Sequence, residues 1–381
     1  MNSREETFLE CGLRPRVLWV TNMAAPYRRP VWAALADGVD LHVRVLHSDS
    51  QFEKAQQRGN RGRDWRVDSA GLGNAELAAA RTRMLRVRGR RWFFLAERAS
   101  GAVEESLDAV VLGGWEQPAY WQLLRAATRR GVRTIGFYES TLATSRHRSG
   151  LVARARANFF RRLDAVVVPG VAAGEAVRAM GVDERRIFVG FNAIDTSAFV
   201  RDSGSSRAAD DGHAFLYVGQ LIARKNVLAL VDAFAAARRE HDRLTLVGKG
   251  ELSAAIEAAI DRHGLRDHII MRGAQAYEEL PAIMHRHDTL VLPSTEEVWG
   301  LVVNEALTAG MHVVVSEVSG VAPSVSAMDG VFVTGTAPGE IALAMRQSRE
   351  QWAGHIANPQ ILAHTPEQLA GVFDSAIRGV Q

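Results

Sequence analysis

The chain has 381 residues, of which 46 are Lys or Arg and 43 are Asp or Glu, and it contains one cysteine, Cys11. A chain of this length predicts two or three domains, and one cysteine excludes both an internal disulfide framework and a thiolate-rich metal site. No run of 18 apolar residues occurs and the first residues lack the pattern of a signal peptide, so we expect a cytoplasmic protein without a membrane span.

The first half of the chain alternates short apolar runs with polar segments, as the buried strands of a parallel sheet and their connections do. The runs that predict strands are residues 15–21, 41–46, 108–112, 134–138, 164–170 and 186–189. A polar stretch without periodicity, residues 50–66, follows the second run. It is read equally well as a mobile loop over a ligand and as an ordinary exposed loop.

Arginines are concentrated in two segments of this half, residues 81–98 and 145–163, where they alternate with aromatic and aliphatic side chains. This composition suits an anionic surface and predicts peripheral contact with the inner face of a membrane. A solvated face whose apolar side packs into the core is the alternative. No nucleic-acid partner is expected, because no nucleic-acid-binding module is recognisable.

The second half begins after a linker rich in Gly, Ser and Asp, residues 201–212, and then alternates strands with helices. Strands are predicted at residues 214–218, 243–247, 268–271, 289–292 and 312–315, and helices at 226–240, 251–263, 277–286, 301–309 and 366–380. This alternation predicts the α/β class and a doubly wound parallel sheet. Its ligand-binding loops should lie at the carboxyl ends of the strands.

The strand at residues 289–292 is followed by an acidic loop and by a helix that starts near Gly300. The first N–H groups of a helix have no intrahelical acceptor, so Gly300, Leu301 and Val302 are predicted to bind a diphosphate. Glu305, one turn further along, is then placed to accept hydrogen bonds from a ribose diol, and Glu297 lies on the loop. The alternative is that two glutamates eight residues apart occur by coincidence in an acid-rich loop.

Lysine is rare in this sequence: the chain has Lys54, Lys225 and Lys249 and otherwise uses arginine. Lys225 and Lys249 both follow predicted strands of the second half. A compact ammonium group suits phosphate oxygens, so Lys225 is predicted to bind a phosphate. An exposed lysine in a turn is the alternative.

Three segments resemble motifs of one protein family. Residues 297–305, EVWGLVVNE, are similar to the Glu-x7-Glu signature of the retaining GT-B glycosyltransferases of family 4, and residues 218–227 and 190–199 are similar to two further motifs of that family. The resemblance implies two Rossmann-like domains that face each other across a cleft. It assigns an acceptor-binding domain to residues 1–200, a nucleotide-sugar-binding domain to 201–360, and to 361–381 a helix that crosses back to the first domain.

The resemblance also implies roles for individual residues. Glu297, Lys225 and Glu139 would be catalytic: Glu297 would bind the hydroxyls of the donor sugar, Lys225 would hold the diphosphate, and Glu139 follows a strand end where many relatives have a histidine. The nucleotide sugar would be bound by Gly219, Gln220, Arg224, Lys225, Lys249, Arg272, Gly273, Glu297, Gly300, Leu301, Val302 and Glu305.

This sequence departs from the family pattern in two places. Gln220 stands where the family has an arginine, so Arg224 or Lys249 would have to supply the missing positive charge. The glycine-rich loop that meets the acceptor in many relatives is absent after the first strand. Side chains of that loop would have to replace it, and the candidates are Asn22, Tyr27 and Arg28.

The reaction implied by the resemblance is transfer of a sugar, with retention of its anomeric configuration, from a uridine or guanosine diphosphate sugar to an acceptor hydroxyl. The acceptor would be a lipid-linked glycan or a small-molecule natural product. No metal and no cofactor are expected, because no cluster of metal-ligating residues is recognisable. Two other functions stay open: a sugar-nucleotide epimerase, which needs no acceptor, and an inactive sugar-nucleotide-binding protein, indicated by Gln220.

Overall fold

The computed structural model describes residues 14–46, 72–96, 101, 103, 106–201 and 212–380. The predicted loop at residues 50–66, Cys11, Lys54 and most of the predicted linker lie outside the described residues. The described residues form two compact units, one running up to Ile194 and resuming at Thr365, the other running from Asp195 to His364. These boundaries lie a few residues from the divisions predicted after residues 200 and 360.

The strands of the described chain are short, and most are buried on both faces. They are β1 (Arg16–Thr21), β2 (Asp40–Val45), β3 (Glu76–Ala79), β4 (Thr82–Val87), β5 (Arg90–Leu95), β6 (Ala109–Leu112), β7 (Arg133–Phe137), β8 (Ala165–Val168), β9 (Ile187–Val189), β10 (Ala214–Val218), β11 (Arg243–Val247), β12 (Ile269–Gly273), β13 (Thr289–Leu292), β14 (His312–Ser316) and β15 (Val331–Thr334).

The α-helices follow most of these strands. They are α1 (Arg29–Leu35), α2 (Pro118–Arg130), α3 (Gly150–Arg161), α4 (Val171–Ala179), α5 (Val227–Ala237), α6 (Ser253–Arg262), α7 (Leu280–Met284), α8 (Leu301–Thr308), α9 (Ala322–Val325), α10 (Pro338–Glu350) and α11 (Pro366–Arg378). Among the described helices, none is both long enough and apolar enough to cross a bilayer.

The first unit is built on a seven-stranded parallel sheet in the order β3-β2-β1-β6-β7-β8-β9. Each predicted strand of this half is present. Strands β1, β6, β7 and β8 are buried on both faces as central parallel strands are, whereas β2 buries one face and β9 lies at the edge. The prediction missed β3, whose sequence ELAA has neither β-branched nor aromatic residues. The α/β class predicted for this half is confirmed.

The C-terminal helix α11 belongs to the first unit. Thr365 caps its N-terminus by accepting a hydrogen bond from the Gln368 backbone N–H at 3.3 Å. The apolar face of α11 packs on the sheet, where the Phe373 ring lies 4.5 Å from the Trp19 ring and 5.3 Å from the Phe137 ring. These buried aromatic contacts attach the end of the chain to the core of the first unit.

The arginine-rich segment after residue 81 forms an antiparallel β-hairpin rather than part of the main sheet. Its strands β4 and β5 make a two-stranded sheet, joined by a tight turn at Arg88 and Gly89. Strand β5 is attached to the unit at α2: the Phe93 N–H donates to Oε1 of Gln117, the N-cap residue of α2, at 3.0 Å, and the Leu95 N–H donates to Gln122 Oε1 at 2.9 Å. Phe93 is buried, whereas β4 is exposed along most of its length.

The second unit is built on a six-stranded parallel sheet in the order β12-β11-β10-β13-β14-β15. All five predicted strands are present, and β15 is added at the edge. The chain runs outward from β10 to β12, returns to β13 beside β10, and then runs outward in the other direction. The strand order therefore reverses between β10 and β13, which is where open α/β sheets bind their ligands.

Helices α5, α6 and α8 of the second unit lie where they were predicted, whereas α9 and α10 were not predicted. The segment predicted as one helix at residues 277–286 is a 3-10 turn followed by the short helix α7, because Pro281 stands at its start and breaks regular hydrogen bonding there. The core of the unit lies between the sheet and helices α5, α6 and α10, with Phe215, Phe234 and Met345 fully buried.

Candidate functional site

The loops that follow β10 and β13 are joined to each other at the point where the strand order reverses. The Thr295 backbone N–H donates to the Arg224 carbonyl oxygen at 2.9 Å. Asn226 reaches across with its side-chain amide, which donates to the carbonyl oxygens of Pro293 at 3.1 Å and Thr336 at 2.9 Å. The two loops therefore form one rigid rim at the carboxyl edge of the sheet.

Asn226 was not among the predicted site residues. Its backbone is left-handed, with φ of 58°, and it links the 3-10 turn Ala223–Lys225 to the start of α5. Asparagine tolerates this conformation better than other residues with a Cβ, which is the signal in the sequence that could have found it.

Lys225 and Glu297 form an ion pair on this rim: Lys225 Nζ donates to Glu297 Oε2, and each side chain is 13% exposed. The position of Glu297 is fixed by its backbone, since the Gly320 N–H donates to the Glu297 carbonyl oxygen at 3.1 Å. Arg224 lies beside the pair, is exposed, and donates to the Glu296 carbonyl oxygen at 3.4 Å. Two predicted catalytic residues of this unit are thus brought together.

Tyr217 lies below this pair and was also missed by the sequence analysis. It is buried on β10, and its hydroxyl donates to the Gln220 carbonyl oxygen at 2.8 Å. Burial, together with the negative charge of Glu297, raises the pKa of Tyr217, so its proton is retained at neutral pH. The backbone of Gln220 is held in place while its side chain stays half-buried at the edge.

The helix that follows the β13 loop begins at Gly300, whose φ of 102° lies in the region that favours glycine. A Cβ at this position would lie 2.7 Å from Leu292 Cδ2. The Val303 N–H already donates to the Gly300 carbonyl oxygen at 2.9 Å, and Leu301 and Val302 are half-buried. The N–H groups of Leu301 and Val302 have no intrahelical acceptor by their position and point out of the helix end.

Glu305 lies one turn into α8 and is 4% exposed. The loop before it is tied to the helix by the Trp299 indole N–H, which donates to Asn304 Oδ1 at 3.1 Å. Burial of a carboxylate is costly unless polar partners compensate it, and Glu305 has such an interaction within the structure.

The remaining predicted residues of this unit lie on the same edge, next to the β10 loop. The Leu221 N–H donates to the Lys249 carbonyl oxygen at 3.1 Å, and the Gly248 N–H donates to the Gly273 carbonyl oxygen at 2.8 Å. The side chains of Lys249 and Arg272 are exposed there. The structure therefore places Gly219, Lys249, Arg272 and Gly273 at the same edge of the sheet, and none of the four forms a hydrogen bond or ion pair with the Glu297 side chain.

Glu139 belongs to the first unit, at the end of β7. Arg28, which is buried, donates through Nη2 to Glu139 Oε1 at 2.6 Å and through Nη1 to Asn192 Oδ1 at 3.3 Å. The guanidinium also lies 4.5 Å from the centre of the Phe137 ring. Arg28, which was predicted to lie in the acceptor loop, thus orients Glu139. Asn192, the second hydrogen-bond partner of Arg28, was not predicted.

Asn22, also predicted for this loop, is bound to the neighbouring strand end. Its amide donates to Glu116 Oε1, and its Oδ1 accepts a hydrogen bond from the Tyr120 hydroxyl at 3.0 Å. Burial and the charge of Glu116 raise the pKa of Tyr120 well above its usual value. Two polar clusters therefore lie at the carboxyl edge of the first sheet.

No group of three or more His, Cys, Asp or Glu residues within the described ranges is arranged to hold a metal ion. The charged residues at this edge of the second unit include Arg224, Lys225, Lys249, Arg272, Glu297 and Glu305. That set can bind a phosphate and sugar hydroxyls directly.

Two family models match the chain and together cover most of it. "Glycosyltransferase Family 4" matches residues 31–198, and "Glycosyl transferases group 1" matches residues 201–352. The second match includes the rim just described, and the first includes Glu139.

Curated relatives match over part of their length. The α-D-kanosaminyltransferase of Streptomyces kanamyceticus is 29% identical over 196 residues, covering 48% of this chain and 51% of the relative. The D-inositol 3-phosphate glycosyltransferase of Segniliparus rotundus is 28% identical over 211 residues, covering 52% of this chain and 44% of the relative. The chain spans about half the length of these relatives.

Solved structures match over nearly the whole chain. Anabaena Alr3699/HepE in complex with UDP has a TM-score of 0.65 and 16% identity, covering 95% of each chain. The apo form of the lipopolysaccharide outer core galactosyltransferase WaaB has a TM-score of 0.70 and 15% identity, covering 95% of this chain and 99% of the other.

These likenesses define the fold as GT-B, as predicted. The two family models agree with the order of the units and with the motifs on the rim. The chain belongs to the GT-B glycosyltransferases of family 4.

Proposed function

We propose that the protein is a glycosyltransferase that moves a sugar from a nucleoside diphosphate sugar to an acceptor hydroxyl, with retention and without a metal ion. The observation that carries this proposal is the rim of the second unit. There the Lys225–Glu297 pair and the N-terminus of α8 lie on two loops that are hydrogen-bonded to each other.

The rim carries positively charged and N–H groups that can stabilise a nucleoside diphosphate as it leaves the sugar. Negative charge develops on the β-phosphate as the glycosidic bond breaks, and fixed positive groups at that place lower the barrier. Lys225 provides an ammonium, and the N–H groups of Leu301 and Val302 provide oriented dipoles. Arg224, which lies beside the Lys225–Glu297 pair, is proposed to supply the charge that Gln220 does not.

The sugar and the ribose have candidate partners on the same rim. Glu297 is proposed to bind donor sugar hydroxyls once Lys225 turns to the phosphate, and Glu305 is proposed to bind the ribose diol. The acceptor's proton would pass to the departing phosphate oxygen, which favours attack on the same face and hence retention. Glu139, oriented by Arg28, is assigned to the acceptor side.

The donor is proposed to carry uridine. HepE, which shares the fold, has been solved with UDP and with UDP-glucose, and this supports a uridine donor over a guanosine one. For the acceptor, the similar proteins include an α-D-kanosaminyltransferase, a 2-deoxystreptamine glucosyltransferase and a lipopolysaccharide outer core galactosyltransferase. We therefore propose a hydroxyl on a small natural product or a lipid-linked glycan.

A thermal-unfolding screen with UDP-, GDP- and ADP-sugars tests the donor. A ligand at 100 times its Kd stabilises the folded state by about 2.7 kcal/mol, which raises the midpoint by several degrees. Uridine donors are expected to raise it most. A rise with guanosine donors alone would overturn the uridine proposal, and no rise with any donor would argue against the rim as a donor site.

Removal of divalent metals tests the metal-free proposal. Sugar transfer, or slow hydrolysis of the donor where the acceptor is unidentified, is expected to continue at an unchanged rate in excess EDTA. The measurement is release of UDP, with NMR of the sugar product to assign its anomer. Loss of turnover that manganese restores would refute the metal-free proposal, and isomerised sugar nucleotide in place of UDP would indicate an epimerase.

Replacing Glu305 by glutamine is expected to weaken UDP binding by about 1.5 to 3 kcal/mol, or roughly 10- to 100-fold in Kd. The amide leaves one oxygen acceptor for two ribose hydroxyls and adds an N–H₂ donor. Isothermal titration calorimetry of both proteins measures the difference.

A nucleotide without the diol provides the control for Glu305. The substitution is expected to leave the Kd of 2′,3′-dideoxy-UDP unchanged, because that ligand has no hydroxyl to lose. The four titrations form a double-mutant cycle. A coupling energy near zero would remove Glu305 from the ribose site even if the variant binds UDP less well.

A further inference from the structure

The hairpin β4–β5 carries a dense positive charge that the described structure leaves unneutralised. Six arginines occur between residues 81 and 91, and no acidic residue occurs from Ala80 to Ala96. Within the described ranges, no side-chain hydrogen bond or ion pair is formed by Arg83, Arg86, Arg88, Arg90 or Arg91. Most of these arginines are exposed.

The hairpin keeps this charge at a local cost. Arg86 and Arg91 are paired directly across the two strands, and like charges in that position destabilise a sheet. Arg88 has a φ of 47°, a region that L residues other than Asn and Asp adopt rarely. A glycine or asparagine at 88 would suit this turn better. Neither the Arg86–Arg91 pair nor the backbone conformation of Arg88 stabilises the folded chain. We attribute both to an external partner that binds the arginines.

Apolar side chains are exposed on the same hairpin. Met84, Leu85 and Val87 are 47%, 54% and 45% exposed. Because paired residues share a face, Leu85 lies beside Trp92, and Val87 beside Arg90. One face of the hairpin thus presents aliphatic and aromatic groups together with guanidinium groups, while the opposite face buries Phe93.

We propose that this face of the hairpin docks on the surface of a membrane that contains anionic phospholipid. Arginines bind lipid phosphates, exposed aliphatic side chains enter the boundary with the acyl chains, and tryptophan prefers the headgroup level. A freely dissolved anion would satisfy the arginines but not Leu85 and Val87, the two exposed aliphatic side chains of this face. Arginines that merely protected an edge strand from aggregation would not be accompanied by them either.

Helix α3 is the competing surface of the first unit, since Leu151 is 81% exposed beside exposed arginines. Its cationic groups are partly engaged: Arg156 donates to the His147 carbonyl oxygen at 2.9 Å, and Arg148 donates to the Ala143 carbonyl oxygen at 3.4 Å. The hairpin offers more free charge within the described residues, and it is favoured for that reason.

The test is co-sedimentation of the full chain with vesicles, without donor or acceptor. Vesicles of phosphatidylcholine with 30% phosphatidylglycerol are expected to bind the protein, and pure phosphatidylcholine is not. Replacing Arg83, Arg88 and Arg90 together by glutamine is expected to weaken binding about 100-fold, since each cation near such a surface contributes roughly fivefold. Leu85→Thr with Val87→Thr is expected to weaken it about tenfold.

The matched control removes the same charge elsewhere: Arg129, Arg262 and Arg286 are exposed and are replaced by glutamine. This control is expected to bind as the unaltered chain does. Thermal unfolding midpoints and UDP binding should be the same for all variants, because the altered side chains are on the surface and away from the rim of the second unit.

A second readout reports the hairpin directly. Quenching of tryptophan fluorescence by brominated lipid is expected, and Trp92→Phe should remove most of it. The proposal is overturned if the hairpin variants bind like the control, if the control loses binding equally, or if Leu151→Ser with Arg154→Gln abolishes binding instead. Binding to RNA in preference to vesicles, lost in the same hairpin variants, would reassign the surface.

Discussion

Replacing Lys225 by alanine is expected to lower kcat/KM by about 10²- to 10³-fold, the effect of removing one preorganised charged partner of a transition state. Lys225 stands on the rim between the β10 and β13 loops, where a departing diphosphate would be held. Initial rates of UDP release at several donor concentrations measure the loss. The UDP Kd is expected to rise in parallel, because the ammonium binds the phosphates of the product as well.

Lys249 is the control for this prediction. It lies on the same edge of the sheet and carries the same charge, but its side chain is exposed. We expect Lys249→Ala to lower kcat/KM less than tenfold. Equal losses in the two variants would mean that the rim acts only through its general positive potential and not through the position of Lys225.

The ion pair with Glu297 raises a structural alternative, namely that Lys225 only holds the β13 loop. Breaking a largely buried pair leaves the other charge without a partner, which is itself destabilising. Under that alternative Lys225→Met and Glu297→Gln would each lower the unfolding midpoint, the double variant would restore it, and UDP affinity would follow stability. The donor-site role predicts instead that the double variant regains stability and still binds UDP weakly.

The architecture of the second unit follows directly from its sequence. Five apolar runs of four or five residues alternate with segments of helical periodicity, and only a parallel sheet with crossover helices buries such runs on both faces. The apolar pattern of the sequence determines the strand order and its reversal at β13 less strongly than it determines the alternation of strands and helices. The order and its reversal depend on which neighbours pack best, and no strand order was predicted from the sequence.

The candidate site was predictable in its outline and not in its contacts. Lys225, Glu297 and Glu305 stand on loops and a helix end, so the rule that loops gather at the carboxyl edge places them together. The pairing of Lys225 with Glu297 and the hydrogen bond from Tyr217 to Gln220 depend on side-chain conformations 72 and three residues apart in sequence. No periodicity records such contacts.

The β4–β5 hairpin of the first unit could not be predicted from the pattern of polar and apolar residues. Alternation of polar and apolar residues marks a strand with one buried face, but β4 is exposed on both faces and carries arginine and aliphatic residues on each. Its sequence is therefore read equally well as a solvated helix face or as a surface strand. The pairing with β5, which Arg88 and Gly89 permit by their positive φ angles, decides between them.

The rim also depends on a close contact between two backbones. Gly248, at the end of β11, has a φ of 143°, and a Cβ added there would lie 1.8 Å from the Gly219 carbonyl oxygen. That distance is far below any possible contact between the two atoms. The loop that begins at Gly219 carries Gln220, Arg224 and Lys225, so a side chain at position 248 has to displace the part of the rim that binds phosphate.

Replacing Gly248 by alanine is therefore expected to lower kcat/KM by about 10²-fold or more, since a displacement of about 1 Å costs that much in a positioned site. The free energy of unfolding should fall by about 1 to 3 kcal/mol, as overpacking does. Steady-state kinetics and urea unfolding measure the two effects.

Gly264→Ala separates the contact from the backbone conformation. Gly264 also has a positive φ, of 65°, but nothing lies within 4 Å of an added Cβ. This variant should lose about 1 to 2 kcal/mol of stability through its backbone alone and keep its full kcat/KM. Activity of Gly248→Ala within threefold of the unaltered chain would show that the β10 loop tolerates movement, and the phosphate groups would then have to be held by α8 rather than by Lys225.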